Sequence, residues 1–204
     1  MNTEFWGYLS AIIVGISGGY YAFRAWQGKI YPNPVSWSVW AVVGVALFLT
    51  AEASMIDAVY FSTLVSAFNP ALVVAVIIWR SKSKTYTMAP HEQKCLVLAL
   101  IGYAFWFWVK DEPSAATWSM YWMIVVDIVV LWPTFKQVLA DPMSDKPLPW
   151  IIFGWGFLLS VLAVEENTFA NLVIPWYMFL GSQAIVIPMV VRRIRRRSPL
   201  AEWV

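Results

Sequence analysis

The stretch Tyr21-Ala-Phe-Arg24-Ala-Trp-Gln-Gly-Lys29-Ile-Tyr-Pro32-Asn33-Pro34-Val-Ser36-Trp37 separates two long apolar runs with a short turn that carries two cations and two prolines. It recurs in outline as Pro133-Thr134-Phe135-Lys136-Gln137, then Asp141-Pro142, then Pro147-Leu148-Pro149-Trp150. A helix needs about 20 mostly apolar residues to cross a bilayer, or about 17 at the short end. Working outward from the two turns gives seven apolar segments, Glu4–Phe23, Val35–Ala51, Ala58–Trp79, Cys95–Val109, Thr117–Val138, Trp150–Val164 and Phe169–Val191. The fourth and sixth, 15 residues each, are short, and flanking Trp and Lys extend them to the interface. The first follows Met1-Asn2-Thr3-Glu4 without a basic n-region or a small-residue cleavage site, so it reads as a retained helix.

The composition agrees. The 204 residues are 60% hydrophobic and 13% charged, with a mean hydropathy of +0.64, against about 25% charged in soluble proteins. An integral membrane protein with no soluble domain is expected. One Cys and one His exclude a disulfide scaffold and a Cys/His metal or iron-sulfur cluster; no metal or other cofactor is expected.

The charges test the span count independently, because Lys and Arg collect in cytoplasmic loops. With the N-terminus outside, the inner side holds Arg24, Lys29, Arg80, Lys82, Lys84, Lys94, Lys136, Lys146, Arg192, Arg193 and Arg195 to Arg197. That is 13 of 14 cations, with only Lys110 outside. The outer turns carry Glu52, Asp57, Asp111, Glu112, Glu165 and Glu166. Seven spans follow, in a cell (inner) membrane, with the C-terminus cytoplasmic. The Arg192–Arg197 cluster reads as a topology determinant lying on anionic lipid rather than a nucleic-acid patch. The expected partners are the lipid bilayer and a small-molecule solute, with no nucleic acid; a homo-oligomer is left open.

A shift of 112 residues puts Trp6 on Trp118, Ile12 on Ile124, Val14 on Val126, Ile16 on Ile128, Phe23 on Phe135 and Arg24 on Lys136. One extra loop residue moves the register to 113, where Trp37 meets Trp150, Glu52 meets Glu165 and Arg80 meets Arg193. Two three-helix units, residues 4–80 and 117–193, therefore flank a fourth helix over 94–110, and a basic tail, 194–204, closes the chain. Three spans reverse the chain, so the linker helix must invert it for both units to start outside. The units are then parallel repeats about an axis along the membrane normal.

This all-α, seven-helix 3+1+3 plan resembles the SWEET sugar transporters and the wider PQ-loop superfamily over the whole chain. The residues carrying the resemblance are Tyr21 to Lys29 leading into Pro32-Asn33-Pro34-Val35-Ser36-Trp37, and their second copy from Pro133 to Trp150. Pro133-Thr134 stands where the family has Pro-Gln, and the first unit departs from it with Tyr21-Ala22. The chain looks closest to a bacterial branch with a Pro-Asn-x-x-Ser-Trp-x-x-Trp signature. Nicotinamide riboside carriers share the plan and a Trp-x-x-Trp, matched by Trp37-Ser-Val-Trp40.

Polar groups at mid-membrane depth should face the bundle interior or a wet cavity. Ser62, Ser66 and Asn69 recur at i, i+4 and i+7 on one face of the third helix, beside Pro70. The matching place in the second unit is Ser182-Gln183. In SWEET-like proteins an Asn on each third helix contacts the sugar, so the resemblance implies substrate-binding roles for Asn69 and Gln183, with Ser66 and Ser182 beside them. The bland alternative is an interhelical hydrogen bond. Asp127 is the single acid at that depth in the fifth helix. It must hold a proton or a partner, which makes it a candidate proton carrier or a structural acid. The resemblance also offers Trp40 and Trp155 as ring platforms, against a plain packing or interface role. Pro133, Pro175, Pro188, Gly18-Gly19 and Gly154-x-Gly156 are bending and close-packing positions, Pro133 being the expected hinge. Glu52 and Glu165 read as an outer gate or as solvated helix ends, and His91 as solvated.

Four functions compete at this point. A carrier of a small neutral or zwitterionic solute, working by alternating access and with a proton link through Asp127, is the first. A seven-helix ligand sensor is the second. A retinal-type pigment needs a Lys in the seventh helix, where Phe169–Val191 has none. An intramembrane enzyme is not expected, for want of a Ser/His/Asp set or paired buried acids.

Overall fold

The computed structural model describes residues 3–53, 60–81, 86–110, 112 and 115–204. Asp57, Lys82, Lys84 and Asp111, and the side chain of Glu52, lie outside the described residues, so the Glu52 gate has no structural counterpart to report. Seven α-helices appear among the described residues: α1 Thr3–Trp26, α2 Pro34–Ala53, α3 Tyr60–Ser81, α4 Pro90–Val109, α5 Ala116–Ala140, α6 Pro147–Ser160 and α7 Phe169–Arg196. Four of them, α3, α4, α5 and α7, are long and apolar enough to cross a membrane, while the apolar stretches of α2 and α6, Pro34–Leu49 and Pro147–Ala163, are shorter. The fourth helix begins five residues earlier than its apolar run suggests. Pro90 sits in its first turn, and Glu92 reaches back to accept from the Ala89 N–H at 2.7 Å, so polar residues that hydropathy discounts are built into the helix.

The bundle exposes large apolar side chains and holds polar ones inside a largely apolar core. Ile12, Leu72, Ile78, Ile101, Phe107 and Ile187 stand exposed, whereas Ser10, Ser17, Ser36, Asn69, Asp127 and Ser182 are buried. That arrangement suits a hydrocarbon solvent, in which polar groups must be satisfied internally. The buried face of α1 runs Gly7, Ser10, Ala11, Val14, Ser17, Gly18, Tyr21, a stripe of small residues that lets two neighbours approach closely. On one flank, the Ser10 and Ser17 hydroxyls donate to the carbonyls of Gly156 and Pro149 at 2.7 and 2.8 Å, tying α1 to α6. On the other flank, Asn69 on α3 donates to the Val14 carbonyl at 3.0 Å.

α3 contacts α1 and α2, α7 contacts α5 and α6, α1 packs on α6, and α2 packs on α5. α4 lies outside, against α5 and the edge of α2. The Ser36 hydroxyl donates to the Val130 carbonyl at 2.8 Å across the α2–α5 seam. Asn33 starts α2: its Oδ1 accepts from the N–H groups of Val35 and Ser36 at 3.0 Å each, and its Nδ2 donates to buried Glu92 at 2.6 Å, joining the starts of α2 and α4. Gly28 turns the chain with φ of 75°, a left-handed conformation open to glycine at no steric cost.

Candidate functional site

Between the helices lies a cavity of about 90 Å³. One water takes about 10–15 Å³ on this measure, so there is room for several waters or a small solute. All helices but α4 contribute to the lining.

The polar lining is sparse. Ser17 comes from α1, Thr63, Ser66 and Asn69 from α3, Asp127 from α5 and Ser182 from α7. Asp127 accepts from the Tyr177 hydroxyl of α7, with the Trp40 indole as a second donor. Asn69 spends one amide hydrogen on Val14 and lies flush against Gly18, where a Cβ would fall on its side chain. Ser182 bonds to its own helix, at the Phe179 carbonyl, 2.8 Å away.

The end of the cavity nearest the basic turns is closed by rings. Tyr21, Trp37, Trp40 and Trp150 form one cluster with centroid separations of 4.5 to 6.0 Å. Beneath it lies Asp145, buried in the α5–α6 turn. Its Oδ2 accepts from the Tyr21 hydroxyl at 3.0 Å and the Trp150 indole at 3.1 Å, and its Oδ1 from the Lys146 N–H at 2.6 Å. Burial raises this carboxyl to about 6, although the backbone N–H of Lys146, Trp150, Tyr21 and the charge of Arg193 pull the other way. Arg193 is fully buried below, donating to the carbonyls of Asp145 at 2.7 Å, Pro142 at 2.9 Å, Glu202 at 3.0 Å and Met189 at 3.3 Å.

Of the residues expected from the sequence, Asn69, Ser66, Ser182, Asp127 and Trp40 line this one cavity. Two of the expected residues lie elsewhere. Gln183 is outside the lining, where Ser182 stands instead; both pack close to Gly154, a Cβ on which would fall on the Ser182 Oγ and come within 2.7 Å of the Gln183 Nε2. Trp155 is 52% exposed and packs edge-on against Phe179, because the α6 face that meets the cavity carries Pro149, Trp150 and Phe153 instead. Pro133 is buried inside α5, two residues past the lining residue Leu131, and the helix continues through it. Glu165 is exposed and accepts from the Thr3 hydroxyl at 3.1 Å. Arg193 does not lie on lipid, since four backbone carbonyls surround it, and the tail after it folds back so that the Trp203 carbonyl accepts from the Leu148 N–H at 3.3 Å. His91 is half-buried beside Glu92, and no group of residues suited to a metal occurs among the described residues.

Sequence reading missed Tyr177, Asp145 and the Tyr21–Trp37–Trp150 cluster. A signal for Asp145 existed. It is one of four acids, with Glu92, Asp141 and Glu202, on the side where cations dominate, and two of those four are buried.

No family model matches the chain, and no curated protein or solved structure matches it.

Proposed function

We propose that the chain is a carrier that moves a small neutral or zwitterionic solute by alternating access between two three-helix units, seated with its N-terminus outside and its C-terminus in the cytoplasm of a bacterial cell. The observation that carries this reading is the cavity itself. It lies at the junction of the two units and receives polar side chains from both, Asn69 and Ser66 from one, Asp127 and Ser182 from the other, as expected of a solute site at a repeat interface near the midplane. The packing scheme supports the repeat: exchanging α1 with α5, α2 with α6 and α3 with α7 maps each principal helix contact within and between the units onto another. The partition of the cations supports seven spans and the orientation. The cavity belongs to a state closed toward the basic turns by the Tyr21–Trp37–Trp150 rings, and transport requires that closure to open. Asp127 is the group through which a proton would be coupled.

Counterflow in proteoliposomes with a panel of sugars, nucleosides, amino acids and small amines tests the reading. Saturable exchange of one class, lost in Asn69→Ala and Asp127→Asn while both variants still reconstitute as folded protein, supports a carrier. Specific binding without flux would replace it with a ligand sensor.

A further inference from the structure

We propose that the cavity is built for an ammonium group, quaternary or protonated, presented by the cationic end of a zwitterion or by a monocation; this rests on the site of the carrier reading, keeps its zwitterions and puts monocations in place of its neutral solutes.

The lining has one carboxylate, Asp127, and among the described residues no Lys, Arg or His faces it from any helix around the cavity. Its two donors, Tyr177 and Trp40, are neutral, so the carboxylate's charge has no counter-charge of the protein's own. An anion in a low-dielectric interior is costly unless a cation accompanies it. The rest of the lining is unusually rich in rings: Tyr21, Trp37, Trp40, Trp150, Phe153 and Tyr177. These rings do not form a flat wall. Trp37 and Trp40 stand at 86° to each other and Trp40 and Trp150 at 63°, so they make the sides of a corner, with Asp127 bonded to one of them. Ring faces carry negative potential and attract a cation, most strongly where water is excluded. A neutral hydroxylated solute would need a polar partner for each hydroxyl, and in the lining the hydroxyls of Ser17, Thr63 and Ser182 already donate to the carbonyls of Pro149, Tyr60 and Phe179. A quaternary ammonium needs no such partner, because its methyl shell is satisfied by aromatic faces and its charge by the carboxylate, and a protonated one finds in the same carboxylate an acceptor for its N–H groups.

The test uses the full chain in nanodiscs and two probes of one shape: choline, and the uncharged isostere in which carbon replaces the quaternary nitrogen. Binding is followed by calorimetry and by fluorescence of the cavity tryptophans. Choline should bind at least about tenfold more tightly than the isostere, and Asp127→Asn should abolish most of that preference. Equal binding of the two probes, or binding of neither, overturns the proposal, and this comparison needs no variant to fold. An unchanged preference in folded Asp127→Asn overturns it as well. Choline binding without counterflow leaves this inference standing and removes the carrier; counterflow of a neutral sugar without choline binding does the reverse.

Discussion

Gly18 and Asn69 form the tightest contact between α1 and α3, and replacing Gly18 by Ala gives a sharp test of the packing. The new Cβ would fall on the Asn69 side chain, whose amide must swing away and lose its bond to the Val14 carbonyl. Overpacking a filled interior costs about 1–3 kcal/mol, and the lost interhelical hydrogen bond adds about 0.6 kcal/mol. Against these stands the gain of about 1 kcal/mol from replacing glycine within a helix. The net expectation is a loss of about 1–2.5 kcal/mol. In an Asn69→Ala background the obstructing amide is gone, so the same change should be neutral or stabilising by up to about 1 kcal/mol. The coupling between the sites is then about 1–3.5 kcal/mol, within or above the range for residues in contact. Reversible unfolding in mixed micelles, followed by tryptophan fluorescence, measures all four corners of the cycle. Equal costs of Gly18→Ala in the two backgrounds would refute the contact and with it the placement of Asn69 between α1 and the cavity.

Three further outcomes are expected. Because burial lifts Asp145 from 3.8 to about 6, the folded protein holds that proton more tightly than the unfolded chain; its contribution is complete below about pH 4 and is lost as the pH rises through about 6, so Asp145→Asn should flatten the unfolding free energy between about pH 4 and 7 by on the order of 3 kcal/mol, and parallel curves for the two proteins would contradict it. Asn33→Ala should cost about 2–4 kcal/mol, from a helix cap of about 1 and a donor removed from buried Glu92 of about 1–3, while Asn33→Asp, which keeps the cap and sets an acid against Glu92, should be no better; thermal melts decide, and rescue by Asp would contradict the Asn33–Glu92 bond. Trp40→Ala should weaken ligand binding at least about tenfold and Trp155→Ala by less than about twofold, because only the first lines the cavity; equal losses in titrations would move the site elsewhere.

Helix positions were legible because hydrocarbon imposes one pattern, about 20 apolar residues between charged turns, and each of the seven apolar segments has its helix. Helix ends were less so. At α4, Glu92 and His91 read as a loop by hydropathy, yet the carboxylate is spent on capping the helix and on Asn33. In the site, period-3.6 spacing put Ser66 and Asn69 on one face, and depth alone marked Asp127. What spacing cannot give is rotation of one helix against another. Gln183 and Ser182 differ by about 100° around α7, so adjacency in sequence left their roles undecided, and it is the rotation of α7 that turns Ser182 and not Gln183 to the cavity.

The same limit shows in the two arginines that the 113-residue register sets on each other. Arg80 and Arg193 occupy equivalent places in the register, yet Arg80 bonds to the Trp26 carbonyl near Gly28 while Arg193 is buried among four carbonyls beneath the aromatic floor. The difference lies in the turns they meet. The α1–α2 turn closes on glycine, whereas the α5–α6 turn carries Asp145, which bonds upward to Tyr21 and Trp150 through its side chain and downward to Arg193 through its carbonyl. One half thus supplies the fastening and the other the ring that is fastened. If the cavity opens toward the basic turns, as the carrier reading requires, the Tyr21–Asp145 bond that links α1 to that turn has to break with the release of the floor.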